Sequence, residues 1–148
     1  MNAYDRAVPA TATENGGDLL LELFLEEIRF NASEEEEVAF LRAIGVRLAR
    51  RFPLSGQGEA DALEEDCNAV FFALGLGTTQ IRVTENALTI RHCLDRRRAD
   101  METSQATVWP ALLEGAYDTW LRTLGSGPRL HTSIVSIADN AIEFRHGV

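Results

Sequence analysis

The stretch that decides the fold is I-R-V-T-E-N-A-L-T-I-R-H, residues 81–92. Its apolar residues alternate with polar ones on both sides of the polar pair Glu85-Asn86, which is the pattern of two short strands joined by a tight turn. The alternating positions are Ile81, Val83, Leu88, Ile90 and His92. The sequence therefore predicts a β-hairpin, in a chain whose earlier apolar residues follow a helical period.

Three helices are predicted before this hairpin, because apolar residues recur there at intervals of three and four residues. The first covers 19–30 with Asp18 as its cap. One face of it carries Leu20, Leu21, Phe24, Leu25 and Ile28. The second follows a capping box of Ser33 with Glu36 and runs to about residue 51. The third covers about 59–74 and ends at Gly75.

A polar segment at 94–106 precedes a fourth helix and a second hairpin. The helix is predicted at 108–124, with Thr107 as its cap and Gly125 as its end. The hairpin turns at Asp139-Asn140 and alternates at Ile134, Ile137, Ile142, Phe144 and His146. The predicted fold class is α+β, with N-terminal helices followed by two antiparallel β-hairpins separated by a long helix. We expect a flexible arm at 1–17 and a single domain at 18–148.

The charge balance excludes two classes of partner. The chain has 148 residues with 14 basic and 23 acidic side chains, giving a net charge of −9. Nucleic acids and anionic lipids require a basic face, so neither is expected as the main partner. There is no signal peptide and no long apolar run, which predicts a cytoplasmic protein without membrane insertion. Cys67 and Cys93 are predicted to be free thiols.

Catalytic and metal-binding patterns are not found. Gly75-Leu76-Gly77 follows a helix rather than a strand, so it is interpreted as a helix stop and not as a phosphate loop. The histidines lack ligand spacing, so no metal site is predicted at His92, His131 or His146. The acidic runs at 34–37 and 64–66 are interpreted as solvated charge on helices. We therefore predict a protein that is not an enzyme and has no catalytic residue and no cofactor.

Both tryptophans fall in W-P-A-L-L-E-G-A-Y-D-T-W, residues 109–120. On a helix, Gly115 allows another backbone to approach closely. Two interpretations stay open: core packing, or a subunit interface formed by Trp109, Leu113, Gly115, Tyr117 and Trp120. The basic run Arg96-Arg97-Arg98 is either a solvated loop or a site that binds a partner.

Four patterns together resemble a known family. They are W-P-x-L-L-E-G-x-Y-x-x-W at 109–120, G-L-G at 75–77, L-x-I-x-H at 88–92 and Leu23-Phe24-Leu25 in the first helix. In this order they resemble the BcsD family of bacterial cellulose synthase operons, over about residues 20–125. The resemblance implies a non-catalytic accessory subunit of cellulose biosynthesis that assembles as a homo-octamer, a tetramer of dimers.

The same resemblance implies two roles in two compartments. In one, glucan chains pass along passages lined by N-terminal segments, where the arm residues Asn2, Tyr4, Asp5 and Arg6 would contact glucan. In the other, the protein forms an intracellular scaffold with a proline-rich partner from the same operon. The lack of a signal peptide favours the cytoplasm, with the periplasm as the alternative.

A second resemblance is to small-molecule-binding domains of the 4-vinyl-reductase type. It rests on the order of helices, G-x-G, hairpin, polar loop, L-E-G helix and terminal hairpin. It implies a sensor with a hydrophobic pocket between helices and sheet, lined by Cys93 or His92. Such domains often carry metal-coordinating cysteines near their end, and no cysteine follows Cys93 in this chain.

Overall fold

A computed structural model describes residues 16–56, 59–94 and 108–148. Its helices and strands in these ranges are α1 (Gly16–Asn31), α2 (Glu34–Arg51), α3 (Ala60–Leu74), β1 (Thr78–Val83), β2 (Ala87–Cys93), α4 (Val108–Leu121), β3 (His131–Ala138) and β4 (Ala141–Gly147). The predicted α+β class and the predicted element order are confirmed. The chain divides into two compact units, with the boundary between Glu37 and Val38, inside α2.

Two of the predicted features lie outside the described residues, in whole or in part. The arm is described only at Gly16 and Gly17, where the chain already belongs to α1. The predicted polar segment is described only at its first residue, Leu94, and the predicted cap Thr107 is not described. The division of the chain into an arm and a single domain stays a prediction.

The first unit holds α1 and the first turn of α2, and it contains the predicted capping box. The Glu36 N–H donates to Ser33 Oγ (3.2 Å), and the Ser33 N–H donates to the Glu36 carboxylate (3.1 Å). The bond from the Ser33 N–H favours the charged carboxylate, and the Ser33 hydroxyl acts in the same direction, so the pKa of Glu36 is lowered. Near the end of α1, Arg29 pairs with Glu37 at 2.8 Å. The capping box therefore fixes where α2 begins.

In the second unit, α3 ends where the sequence predicts. Gly75 adopts a left-handed conformation with φ of 66°, which a residue without a side chain reaches at little cost. Its N–H donates to Phe72 O (3.3 Å), and the Leu76 N–H donates to Phe71 O (2.9 Å). These bonds satisfy the last carbonyl groups of the helix and turn the chain toward β1.

The two hairpins join into one antiparallel sheet with the strand order β1-β2-β4-β3. β2 and β4 pair at its centre, where Ile90 lies opposite Phe144. β1 and β3 are therefore the two edges, and β3 carries an irregularity between Ile134 and Ser136. The sequence predicts each hairpin, but the pairing of β2 with β4 joins residues that are far apart along the chain.

The second unit contains an internal repeat. The segment E-N-A-L-T-I-R-H at 85–92 recurs as D-N-A-I-E-F-R-H at 139–146. Upstream, L-G-L-G at 74–77 recurs as L-G-S-G at 124–127, and all four glycines have positive φ. The unit therefore holds two αββ repeats, α3-β1-β2 and α4-β3-β4, related by an approximate two-fold axis between β2 and β4.

Equivalent hydrogen bonds close both edges of the sheet. In the first repeat, the Thr79 N–H donates to Asn68 Oδ1 (2.7 Å). In the second repeat, the Thr132 N–H donates to Asp118 Oδ1 (2.9 Å). An edge strand with free N–H groups is a template for pairing with another chain. The helix side chains occupy these groups, so each repeat protects its own edge.

A further bond lies one helical turn earlier in the first repeat. The Ile81 N–H donates to the Glu64 carboxylate (2.9 Å), and Glu114 occupies the equivalent position of the second repeat. The interpretation of 64–66 as solvated charge is therefore wrong for Glu64, because its carboxylate holds the sheet edge. It is also incomplete for Asp66, which accepts a hydrogen bond from the Ser55 hydroxyl at 2.6 Å.

The fourth helix ends earlier than the predicted residue 124. α4 stops at Leu121, and the chain continues as a wider turn over Arg122–Ser126. Within this turn Gly125 has φ of 100°, so it is the residue at which the chain leaves the helical conformation. The choice of Gly125 as the stop signal is thereby confirmed.

Candidate functional site

α4 lies in the core of the second unit. Of the residues predicted from its sequence, Trp109 is 5% exposed, Leu113 0%, Tyr117 1% and Trp120 2%, and Gly115 is buried as well. Core packing is therefore confirmed for this helix. The role of these residues in a subunit interface stays a prediction, and at this burial they offer almost no surface to a second copy.

The close backbone approach expected at Gly115 occurs within the chain, where α2 crosses α4. A Cβ atom on Gly115 would overlap the carbonyl oxygen of Arg42. Conversely, a Cβ atom on Gly45 would overlap the carbonyl oxygen of Leu112. Each helix thus presents a glycine to the backbone of the other, and this reciprocal contact fixes the separation of the two helices.

Two polar contacts stabilise the same packing of α2 against α4. Arg42 pairs with Glu114 at 3.0 Å, and the Glu114 side chain is 14% exposed. Burial disfavours its charged form and raises the pKa of Glu114, although the Arg42 charge acts in the opposite direction. Toward the end of α2, the Trp120 indole N–H donates to Phe52 O (2.9 Å).

A buried histidine joins the sheet to α4. Nε2 of His92 lies 2.6 Å from Leu76 O, which can only accept, so this nitrogen carries the proton. Nδ1 is then the acceptor for the Tyr117 hydroxyl at 2.7 Å. Burial lowers the pKa of His92 to about 4, while the bond to Leu76 acts against this shift. With both nitrogens bonded in the core, His92 does not support the ligand pocket implied by the second resemblance.

Aromatic side chains surround this histidine. The ring centre of Phe71 lies 4.6 Å from that of His92, 5.8 Å from that of Tyr117 and 5.6 Å from that of Trp120, all edge to face. Phe144 from β4 packs on Tyr117 at 5.2 Å. The cluster links α3, the two central strands and α4, so its arrangement stabilises the fold.

The buried Cys67 thiol is not activated as a nucleophile. Both cysteines are free, as predicted, and burial raises the pKa of the Cys67 thiol to about 12, so it is not a thiolate at neutral pH. Within the described ranges, no group of three or more His, Cys, Asp or Glu side chains is arranged to hold a metal ion. The absence of enzymatic activity stays a prediction.

Two sets of predicted contact residues fall outside the residues that the structure describes. The first is the proposed glucan-contacting set Asn2, Tyr4, Asp5 and Arg6. The second is the proposed partner-binding run Arg96, Arg97 and Arg98. The roles of both sets stay predictions.

Sequence reasoning missed an exposed apolar surface on α1. The predicted face places Leu20 and Phe24 together with Leu25, yet Leu25 is 2% exposed, whereas Leu20 is 57% and Phe24 67% exposed. We call the exposed set the α1 apolar surface: Leu19, Leu20, Leu23, Phe24 and Phe30. The signal is present in the sequence, because the run at 19–25 is apolar on more than one helix face.

A comparison with models of known protein families identifies the family of this chain. The family model that describes the cellulose synthase D subunit matches residues 10–147. The chain belongs to the cellulose synthase D-subunit family. This confirms the resemblance inferred from the sequence and extends it through the second hairpin. No curated protein matches the chain.

Membership assigns this D-subunit protein a role in bacterial cellulose synthesis, as a component other than the catalytic one. Among the helices described, none is both long and apolar enough to cross a membrane.

Proposed function

We propose that this D-subunit protein is a non-catalytic accessory component that self-associates into a scaffold. The scaffold organises cellulose synthase complexes and helps the export and crystallisation of glucan chains. The observation that carries the proposal is the α1 apolar surface, on which Phe24 is 67% and Phe30 87% exposed. Large apolar side chains grouped on one helix mark a surface that binds another protein.

The family resemblance also implies the size of the assembly, its partners, its compartment and its contact residues. The assembly is a homo-octamer built as a tetramer of dimers, and its partners are other proteins of the cellulose synthase operon, including a proline-rich one. The compartment is the cytoplasm, with the periplasm as the alternative. Arg96–Arg98 bind the partner, and the arm residues at 2–6 contact glucan chains.

The mass of the full chain in solution tests self-association. We expect light scattering to give a multiple of the 16.4 kDa chain mass. Leu20→Glu combined with Phe24→Glu places two charges on the α1 apolar surface and should yield smaller species with unchanged helix content. Phe72→Glu is the matched control, since Phe72 is 89% exposed on α3, in the other unit. A wild-type chain that is monomeric at all concentrations would contradict the proposal.

The role in cellulose organisation needs a cellular measurement. In a cellulose-producing bacterium from which the corresponding gene has been deleted, the wild-type chain should restore crystalline cellulose. The double variant should restore less, because the scaffold does not form, while the synthase keeps its activity in isolated membranes. Equal crystallinity with both chains would show that self-association through α1 is unnecessary.

A further inference from the structure

An aliphatic cavity lies in the second unit, between the start of α3, the β1–β2 turn and the end of α4. Its volume is about 310 Å³, which is the lower end of the range for small-molecule sites. Its apolar walls are formed by Leu63, Val83, Leu88, Leu121 and Leu124. Glu59, Asp66 and Ser126 add polar groups. Neither His92 nor Cys93 is among these residues, so this is not the pocket implied by the second resemblance.

The two αββ repeats differ in side-chain size at three of the positions that line the cavity. The alignment that matches Gly75 with Gly125 also pairs each of three lining residues with a larger side chain in the other repeat. These pairs are Glu59 with Trp109, Leu121 with Phe71, and Ser126 with Leu76. Trp109 is 5%, Phe71 0% and Leu76 7% exposed, so the three larger side chains are buried at the equivalent place. The cavity is therefore a specific difference between two otherwise similar halves.

The charge in the cavity comes from one face of α3. Glu59 occupies the cap position of the helix, yet its side chain makes no capping hydrogen bond, so its carboxylate is available. Asp66 lies two turns further on, about 10 Å along the helix axis. Its Oδ2 accepts from the Ser55 hydroxyl at 2.6 Å and from the Ser55 N–H at 3.3 Å, which orients the carboxylate. In the other repeat, uncharged Trp109 and Ala116 occupy these two positions.

This lining selects one kind of ligand. Two carboxylates repel anions and attract cations. Aliphatic walls favour an alkyl chain, and no aromatic side chain is among the described residues that line the cavity, so a sugar ring has no stacking partner there. We propose that the cavity binds an aliphatic ammonium group, with the alkyl chain beside Leu63 and the nitrogen at Glu59. A free alkylamine and the lysine side chain of a partner protein both carry this chemistry.

An NMR titration of the isotope-labelled full chain tests the charge preference. Hexylammonium should shift the amide signals of Leu63, Leu88 and Leu121 and saturate, whereas hexanoate should not. Hexanol, which has the same chain without charge, should bind more weakly than hexylammonium. Glu59→Gln should weaken hexylammonium binding about threefold and remove its advantage over hexanol. Equal binding of hexanoate and hexylammonium, or no saturable shift by either, would overturn the proposal.

A second variant tests the location. Leu121→Phe combined with Ser126→Leu installs the residues of the filled repeat, so it should abolish hexylammonium binding while the spectrum stays folded. Phe72→Leu, on the exposed side of α3, is the control and should bind like the wild-type chain. Binding that persists in the filled variant would place the ligand elsewhere and overturn the proposal. If the filled variant does not fold, the comparison of hexylammonium with hexanoate on the wild-type chain tests the proposal by itself.

A peptide titration distinguishes the two possible sources of the ammonium group, a free amine and a lysine side chain of a partner protein. A short peptide with a central lysine is compared with the same peptide carrying norleucine. Shifts caused by the lysine peptide at or below the hexylammonium concentration would assign a partner side chain. Shifts caused by hexylammonium alone would assign a free amine.

Discussion

Two glycines set the distance between α2 and α4. Gly45 and Gly115 each lie against the backbone of the opposite helix, with no room for a Cβ atom at either position. From sequence, Gly115 suits a contact between chains as well as one within a chain, because both need a small residue on a helix face. The structure shows the contact within one chain, so the first consequence of enlarging Gly115 concerns folding.

Gly115→Ala tests this consequence. The methyl group would displace the Arg42 carbonyl, so we expect the free energy of unfolding to fall by about 2 kcal/mol, despite the better helix propensity of alanine. Urea denaturation measures the change. Gly17→Ala is the control, because nothing lies within 4 Å of a Cβ atom there, and it should be neutral or slightly stabilising. A Gly115→Ala chain as stable as the wild type would show that the helices can separate without loss.

His92 predicts how stability depends on pH. Burial lowers its pKa from 6.5 to about 4 in the folded chain. Between these values the unfolded chain binds a proton that the folded chain does not, so stability is lost as the pH falls through this window. The loss from His92 reaches about 3 kcal/mol near pH 4. Burial also lowers the pKa of His146, which adds a loss in the same direction.

Denaturation by urea at pH 7 and at pH 4.5 measures this dependence. His92→Gln should be less stable at pH 7 and should lose less stability on acidification than the wild type. Phe72→Gln is the control, because Phe72 is 89% exposed on α3 and carries no titratable group, so the pH dependence should stay that of the wild type. Identical pH dependence in the wild type and His92→Gln would show that His92 does not carry the effect.

At the scale of elements, the two αββ repeats use the same device to protect the sheet. Asn68 and Asp118 stand at equivalent positions and accept from the N–H groups of Thr79 and Thr132. Asn68 also donates to Thr79 O at 3.1 Å, which a carboxylate cannot do. Each edge strand is therefore covered by the helix of its own repeat.

Asn68→Ala should free the Thr79 amide on the β1 edge without affecting the β3 edge. We expect faster hydrogen exchange at the Thr79 amide and a loss of about 1 kcal/mol in the free energy of unfolding, because a buried N–H loses its acceptor. The Thr132 amide should exchange at its wild-type rate. Asn68→Asp, the residue of the other repeat, should keep most of the Thr79 protection. Unchanged exchange at Thr79 in Asn68→Ala would contradict the edge-protection role.

Local patterns predict the elements of this fold but not the pairing between them. The alternation at 81–92, the capping box at Ser33 and the stop at Gly75 depend on neighbouring residues, and all three are confirmed. The pairing of β2 with β4 depends on contacts between residues far apart in the chain, which periodicity does not encode. The exposure of Phe24 is not predicted for the same reason. Helical periodicity identifies apolar positions, but it does not show which of them another element will bury.

At the scale of the whole molecule, the net charge of −9 is distributed along the helices. The first turn of α2 is entirely acidic and its last turn carries Arg50 and Arg51, so both ends complement the helix dipole. Assembly of such chains brings like charges together. In an assembly held by the α1 apolar surface, this repulsion opposes association. In an assembly held by ion pairs, attraction between acidic and basic groups of neighbouring chains would favour association.

The response to salt separates these two kinds of assembly. If the α1 apolar surface holds the scaffold, raising sodium chloride from about 0.05 M to about 0.5 M should strengthen it, because screening reduces the repulsion between acidic chains and leaves apolar contacts intact. Analytical ultracentrifugation at a fixed protein concentration measures the mass distribution. Leu20→Glu with Phe24→Glu should stay small at both salt concentrations. Dissociation of the wild-type assembly by salt would instead assign its contacts to ion pairs, with Arg96–Arg98 and the acidic turn of α2 as the first residues to replace.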